Sequence, residues 1–71
     1  MTIYELINYF EIQGAFIIYW WDYRVNDRVI LAKGGDFESE NYKINTRMLN
    51  KKINYMYAVG GVLNIEVEGD Q

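Results

Sequence analysis

The side chains able to act as catalytic nucleophiles, general bases or metal ligands are few in this chain. It has no His and no Cys among its 71 residues, and its only hydroxyl groups outside tyrosine belong to Thr2, Ser39 and Thr46. A serine nucleophile without histidine would need lysine as its base, and no S-x-x-K spacing occurs. Without cysteine, neither disulfides nor thiolate zinc sites can form. We therefore predict that the protein is not an enzyme.

The segment around residue 36 combines two glycines with alternating acids. Residues 34–36 read Gly-Gly-Asp after a β-rich run. Phosphate-binding loops need further glycines and a following helix, so these glycines predict a strand end and a turn. Asp36, Glu38 and Glu40 lack the spacing and the distal Glu of a calcium loop. We therefore predict no metal and no cofactor, and we interpret the three carboxylates as a solvated acidic loop that can steer the protein toward a basic partner surface.

Aromatic residues point to binding rather than to catalysis. The chain has seven Tyr and two Trp, and both Trp lie within residues 15–25. A half-buried antiparallel strand alternates apolar and polar side chains. This segment alternates only weakly, so each of its faces needs a cover. One cover can be the chain's own helix, and we expect the second to be another protein.

Local signals predict one helix and two β-hairpins. Thr2 and Glu5 have the spacing of a capping box, and apolar residues follow at helical spacing, so we place a helix over residues 3–12. Asn26-Asp27 and Gly60-Gly61 are two-residue hairpin turn signals. The strands that flank these turns are residues 16–25, 28–33, 52–59 and 62–68.

The turn positions assign side chains to the two faces of each hairpin. A turn at Asn26-Asp27 would pair Val25 with Arg28 and Trp21 with Ala32. The face with Trp21 is the more apolar, so we assign it to the core and place Trp20 on the surface. In the second hairpin, the face assigned to the core carries Met56, Ala58, Leu63, Ile65 and Val67.

These elements predict a single α+β domain over residues 1–71. One N-terminal helix packs on a four-stranded antiparallel sheet made of the two β-hairpins. Residues 37–50 are interpreted as a loop with one irregular turn, and residues 69–71 as a frayed tail. The patterns leave open whether the two hairpins share one sheet.

The predicted partner-binding surface is centred on Trp20. Trp, Tyr and Arg are enriched at binding hot spots. Asp22 and Arg24 would form the rim of this anchor, and Tyr55 and Tyr57 would extend the surface if the hairpins join. Two other interpretations stay open: Asp22 and Arg24 as ordinary exposed charge pairs, and Trp20 as a side chain covered by the loop over residues 37–50.

Charge and hydropathy limit the class of partner. Ten acidic residues against seven basic ones give a formal net charge of −3. A dedicated nucleic-acid binder usually shows a basic patch, so nucleic acid is not the expected partner. The longest apolar run, residues 15–21, is far shorter than the roughly 20 residues of a membrane helix. No pattern of a signal peptide precedes it. We expect a cytoplasmic protein that does not enter the membrane.

The opening residues 1–7, MTIYELI, the closing residues 54–67, NYMYAVGGVLNIEV, and the hairpin between them carry a resemblance. In this order of elements the chain resembles small proteins encoded by phages and mobile elements of low-GC Gram-positive bacteria. That class includes inhibitors of host defence such as anti-CRISPR proteins. The resemblance implies a small acidic inhibitor that occludes a surface of a host protein, such as a CRISPR effector, in the bacterial cytoplasm.

Two alternatives use the same aromatic face. The first is a self-associating accessory protein, in which the face pairs with its own copy as a homodimer. The second is a binder of nucleic acid or of a small ligand, in which the aromatic rings stack on bases.

Overall fold

The computed structural model describes residues 1–9, 13–36 and 46–69. Two short helices and one four-stranded sheet make up this α+β fold. The elements, in chain order, are α1 (Ile3–Tyr9), β1 (Gln13–Asp22), β2 (Asp27–Asp36), α2 (Thr46–Leu49), β3 (Ile53–Val59) and β4 (Val62–Val67). No helix in the described ranges is long and apolar enough to cross a membrane.

The capping box predicted at the start of α1 is confirmed. The backbone N–H of Glu5 donates to Oγ1 of Thr2 at 3.2 Å, and the backbone N–H of Thr2 donates to Oε1 of Glu5 at 3.0 Å. These two bonds satisfy donors that have no partner inside the helix. Ile3 and Leu6 form the buried stripe of α1. The predicted continuation of the helix over residues 10–12 lies outside the described residues.

The first hairpin turns earlier than the sequence predicts. β1 ends at Asp22, and residues 23–26 form the turn in place of Asn26-Asp27 alone. The carboxylate of Asp22 accepts the backbone N–H of Arg24 at 2.9 Å, which bends the chain away from the strand. Asn26 has a φ of 55°, a left-handed conformation that Asn tolerates. The prediction of a two-residue turn is therefore wrong, because the Asp22 side chain starts the turn four residues before Asn26.

The early turn also changes the register of the first hairpin. Trp21 pairs with Arg28, and a bulge separates the pairs of Tyr19 and Ile18 on β1. The strand end predicted at Gly34 is wrong, since β2 continues to Asp36 and Gly34 lies opposite Phe16.

The four strands form one sheet in the order β2-β1-β4-β3. Both hairpins are antiparallel, but the central strands β1 and β4 run parallel, with Phe16 beside Leu63 and Ile18 beside Ile65. The prediction of a purely antiparallel sheet is therefore wrong. The parallel pairing places the most apolar strand, β1, in the interior of the sheet, where neighbours lie on both sides of it.

The parallel register decides which face of β1 is buried, and it reverses the predicted assignment. Along β4 the apolar side chains Leu63, Ile65 and Val67 alternate with polar ones, so the apolar set must face the core. Side chains of β1 in register with them share that face, and Trp20 is only 7 % exposed. Trp21 is half-buried on the opposite face. The predictions of a surface Trp20 and a core Trp21 are both wrong.

The core lies between this face of the sheet and the two helices. Its buried side chains are Ile3, Leu6, Phe16, Ile18, Trp20, Met48, Ile65 and Val67.

The second hairpin follows its prediction more closely. Val59 pairs with Val62 across Gly60 and Gly61, whose φ angles are 58° and 78°. These angles suit the two-residue turn that matches strand twist. Met56 and Ala58 are exposed rather than buried because β3 is an edge strand.

Candidate functional site

The face of the sheet opposite the helices carries the exposed aromatic and aliphatic side chains. We call it the open face, because both described helices pack on the other side of the sheet. Tyr55 is 65 % exposed there, and Ile30 and Val59 are also exposed. The open face includes Ile17, Tyr19, Trp21, Arg28, Ile30, Lys33, Tyr55, Tyr57, Val59, Val62, Asn64 and Glu66.

Tyr19 lies at the centre of the open face but is almost fully buried. Its ring is covered by Arg28, whose guanidinium carbon lies 5.2 Å from the ring centroid, and the residue is only 3 % exposed. A guanidinium over an aromatic face is attracted by the negative charge density of the ring. Arg28 is itself exposed, and its guanidinium lies over Tyr19 as part of the surface of the open face.

A hydrogen bond fixes the other end of Tyr19. Its hydroxyl lies 2.8 Å from the hydroxyl of Tyr57, so the two side chains meet above β4, which separates their strands. Burial raises the pKa of Tyr19 well above its usual value, and the hydrogen bond with Tyr57 and the charge of Glu66 raise it further. Tyr19 therefore stays protonated throughout the physiological range and acts as a hydrogen-bonding group.

Asn64 completes the polar part of this surface. Its amide nitrogen donates to the backbone carbonyl of Val62 at 3.0 Å, and its Oδ1 accepts a long 3.4 Å contact from Nη1 of Arg28. The side chain is buried. A buried amide with partners on both of its ends holds one orientation, and it aligns the guanidinium with the sheet.

These side chains border an open depression of about 370 Å³. Apolar groups from Ile17, Val59 and Val62 form one part of its lining, while Arg28, Tyr57 and Asn64 supply the polar part. Among the described residues, Arg28 has no carboxylate within ion-pair distance. Its remaining N–H donors can therefore bind an anionic group of a partner that packs on the apolar part of the depression.

The described part of the chain contains no group of three or more His, Cys, Asp or Glu side chains that could hold a metal ion. The depression presents hydroxyl, amide and guanidinium groups, and its lining includes no carboxylate, thiol or imidazole base. Such a set of side chains can recognise a partner through hydrogen bonds and apolar contact.

The structure separates the predicted site residues. Tyr55 and Tyr57 lie on the open face, as the sequence predicts. Trp20 lies on the opposite face inside the core, so it cannot be the anchor of the same surface. The predicted cluster is therefore wrong at its centre.

The charged residues of the predicted site lie in different parts of the structure. Asp22 is buried, and its Oδ1 lies 3.2 Å from Nε of Arg24. This pair therefore stabilises the turn and does not form the predicted rim of a binding site. Asp36 ends β2 opposite Gln13 instead of opening a loop. Glu38 and Glu40 lie outside the described residues.

The sequence did not lead us to propose Tyr19, Arg28 or Asn64 as site residues, although the register of the second hairpin places Asn64 on the same face as Tyr55 and Tyr57. Asn64 offered a signal, because it is a polar residue between Leu63 and Ile65 in an otherwise apolar run. Arg28 offered none in the predicted register, which paired it with Val25 at the turn. The observed pairing with Trp21 moves it onto the sheet, within reach of Tyr19.

No protein-family model, no curated protein and no solved structure matches this chain. The fold and the site define it as a small α+β protein with one covered and one open sheet face.

Proposed function

We propose that the protein is a non-enzymatic binding module that engages a partner protein through the open face. The observation that carries the proposal is the fixed position of Arg28 and Tyr57 around the buried Tyr19, with exposed apolar side chains beside them. An apolar surface bordered by polar groups is typical of interaction sites.

The proposed site is preorganised for binding. The open face stands on a sheet, and its central side chains are held by the ring contact of Arg28 and the hydroxyl pair of Tyr19 and Tyr57. Side chains that are already ordered lose less conformational entropy when a partner binds. Tyr and Arg are also the residue types that contribute most to binding hot spots.

The chemistry of the open face suggests the chemistry of the partner. Arg28 offers donors to an anion, and the exposed Tyr55, Val59 and Ile30 offer apolar contact. We propose a partner surface that carries a carboxylate side chain surrounded by apolar residues. Arg28 is then the main charged contact of the open face. Contact of Asp36, Glu38 and Glu40 with a basic partner surface stays a separate prediction.

The experiment compares two exposed tyrosines. Tagged wild-type protein and the variants Tyr55→Ala and Tyr9→Ala are used as bait in a lysate of a low-GC Gram-positive bacterium, and the captured protein is purified for binding measurements. Tyr9 is 74 % exposed on α1, away from the open face, so it is the matched control. We expect Tyr55→Ala to weaken binding by roughly tenfold or more, as hot-spot truncations do. The reverse order of effects would refute the proposal.

The narrower assignment is inhibition of a bacterial defence protein, such as a CRISPR effector, in the host cytoplasm. It is supported by the sequence resemblance alone. Expression of the protein in a bacterium with active CRISPR immunity should raise the plaque count of a targeted phage, and Tyr55→Ala should reduce that effect. An unchanged plaque count would remove this assignment while leaving the binding module in place.

A further inference from the structure

Within the described part of the chain, the outer side of β3 is a free sheet edge along most of its length. β3 is the last strand of the order β2-β1-β4-β3, and residues 54–59 are all exposed. Only the start of the strand is covered, because the backbone N–H of Ile53 donates to the carbonyl of Met1 at 2.7 Å and Thr2 bridges Lys52. Within the described ranges, no strand pairs with the outer side of β3 beyond Ile53.

The hairpin geometry shows which backbone groups point outward. In a hairpin with a two-residue turn, the residues that flank the turn form a hydrogen-bonded pair, and hydrogen-bonded pairs then recur at every second residue. Val59 and Tyr57 therefore direct their N–H and C=O groups toward β4. Met56 and Ala58 direct theirs away from the sheet. These groups form a template for a further strand.

Residues 55–59 of β3 lack the features that normally protect a free edge. Natural edge strands carry Lys, Pro, a bulge or an inward-facing charge that prevents pairing with another chain. Residues 54–59 read NYMYAV, with no charge and no proline. The only irregularity of this strand pair lies before Tyr55, so residues 55–59 are a regular, uncharged edge.

We propose that β3 pairs antiparallel with β3 of a second copy, around a two-fold axis at Tyr57. Met56 of one copy then lies opposite Ala58 of the other, so the outward backbone groups of both residues bond across the axis. About four hydrogen bonds result from two such pairs. The pairing joins two four-stranded sheets into one. It is argued from the backbone edge of β3 and does not rest on the proposed binding function, although Tyr55, Tyr57 and Val59 take part in both.

The side chains of β3 favour a second copy over a foreign strand because the strand is self-complementary in this register. On the open face, Tyr57 meets Tyr57 of the second copy, and Tyr55 meets Val59. Aromatic and β-branched pairs stabilise antiparallel strands, whereas like charges placed opposite each other would destabilise them. The pairing ends at Tyr55, so the segment that covers Ile53 does not obstruct it. A two-fold contact of this kind closes on itself.

The oligomeric state is measured by sedimentation velocity from micromolar to millimolar concentration. We expect a wild-type dimer and at least tenfold weaker dimerisation for Ala58→Lys and for Met56→Pro. Met56→Pro keeps the hairpin, since the N–H that it removes points outward. Val25→Lys adds the same charge as Ala58→Lys at an exposed turn position, so this control should dimerise like the wild type. Circular dichroism verifies that each variant is folded.

Amide hydrogen exchange gives a second, direct measurement. We expect the amides of Met56 and Ala58 to become protected as the protein concentration rises, while the exchange of an exposed turn amide such as that of Val25 stays constant. A wild-type protein that is monomeric over the whole range would overturn the proposal. A dimer that survives Ala58→Lys and Met56→Pro but is lost in Ile30→Lys would place the contact on the open face and would also overturn it.

Discussion

The two adjacent tryptophans offer the sharpest test of the sheet arrangement, because they lie on opposite faces of β1. Trp20 is 7 % exposed in the core, and a Cβ on Gly69 would lie 3.1 Å from its ring, so the chain packs closely around it. Trp21 is half-buried on the open face, where its ring makes an edge contact with Tyr23 at a centroid distance of 6.5 Å. Truncation of each residue to alanine should therefore have very different effects on stability.

The magnitude for Trp20→Ala follows from its burial. A buried aromatic side chain removes about 150–250 Å² from water, which corresponds to about 4–6 kcal/mol at about 25 cal/mol/Å². Measured Trp→Ala substitutions in cores cost about 3–5 kcal/mol. We expect about 4 kcal/mol for Trp20→Ala. For Trp21→Ala we expect about 1–2 kcal/mol, from partial burial and one aromatic pair.

The free energy of unfolding is measured by urea titration and followed by far-ultraviolet circular dichroism, since both substitutions alter tryptophan fluorescence. A domain of 71 residues is stable by about 4–10 kcal/mol, so Trp20→Ala can unfold the chain outright. Trp20→Phe, which keeps most of the apolar volume, provides a folded variant with a smaller loss. A larger loss for Trp21→Ala than for Trp20→Ala would refute the assignment of the two faces.

Two further predictions concern Tyr19 and the first turn. Because the pKa of Tyr19 is raised in the folded protein, the unfolded chain loses this proton first as the pH rises above about 10, so stability should fall by up to about 1.4 kcal/mol per pH unit. Urea titrations at increasing pH should show a smaller loss in Tyr19→Phe, and an equal loss would contradict the buried hydroxyl. Asp22→Ala removes the buried acceptor of a backbone N–H and should cost about 1–3 kcal/mol. Arg24→Ala removes only a side chain that is 75 % exposed and should cost clearly less than Asp22→Ala, so similar losses in the two variants would show that the salt bridge and not the backbone bond holds the turn.

Local patterns predicted those elements whose cause lies within a few residues. The capping box of Thr2 and Glu5 forms as expected, because both hydrogen bonds connect groups three residues apart. Gly60 and Gly61 form the predicted turn, because few other residues accept two successive positive φ angles. Asn26 also has a positive φ, but the Asp22 carboxylate accepts the backbone N–H of Arg24 before that point, and the turn is therefore longer than predicted.

The candidate site was predicted at its two tyrosines and missed at its centre. Tyr55 and Tyr57 belong to a hairpin whose register follows from its turn, so their face was predictable. Tyr19 and Arg28 meet only in the register that the longer first turn produces. A register error changes which side chains are neighbours, and no local pattern reveals that change.

The absence of His and Cys, the buried stripe of α1 and the division of the β1 side chains into two sets all follow from the sequence alone. Which set is buried was decided only by the tertiary structure. β1 is apolar on both sides, so its own pattern is satisfied by either orientation. β4 is apolar on one side only. Because β1 pairs parallel with β4, Phe16, Ile18 and Trp20 lie in the core together with Ile65 and Val67. The other side of the sheet is not covered by the two helices, and it forms the open face.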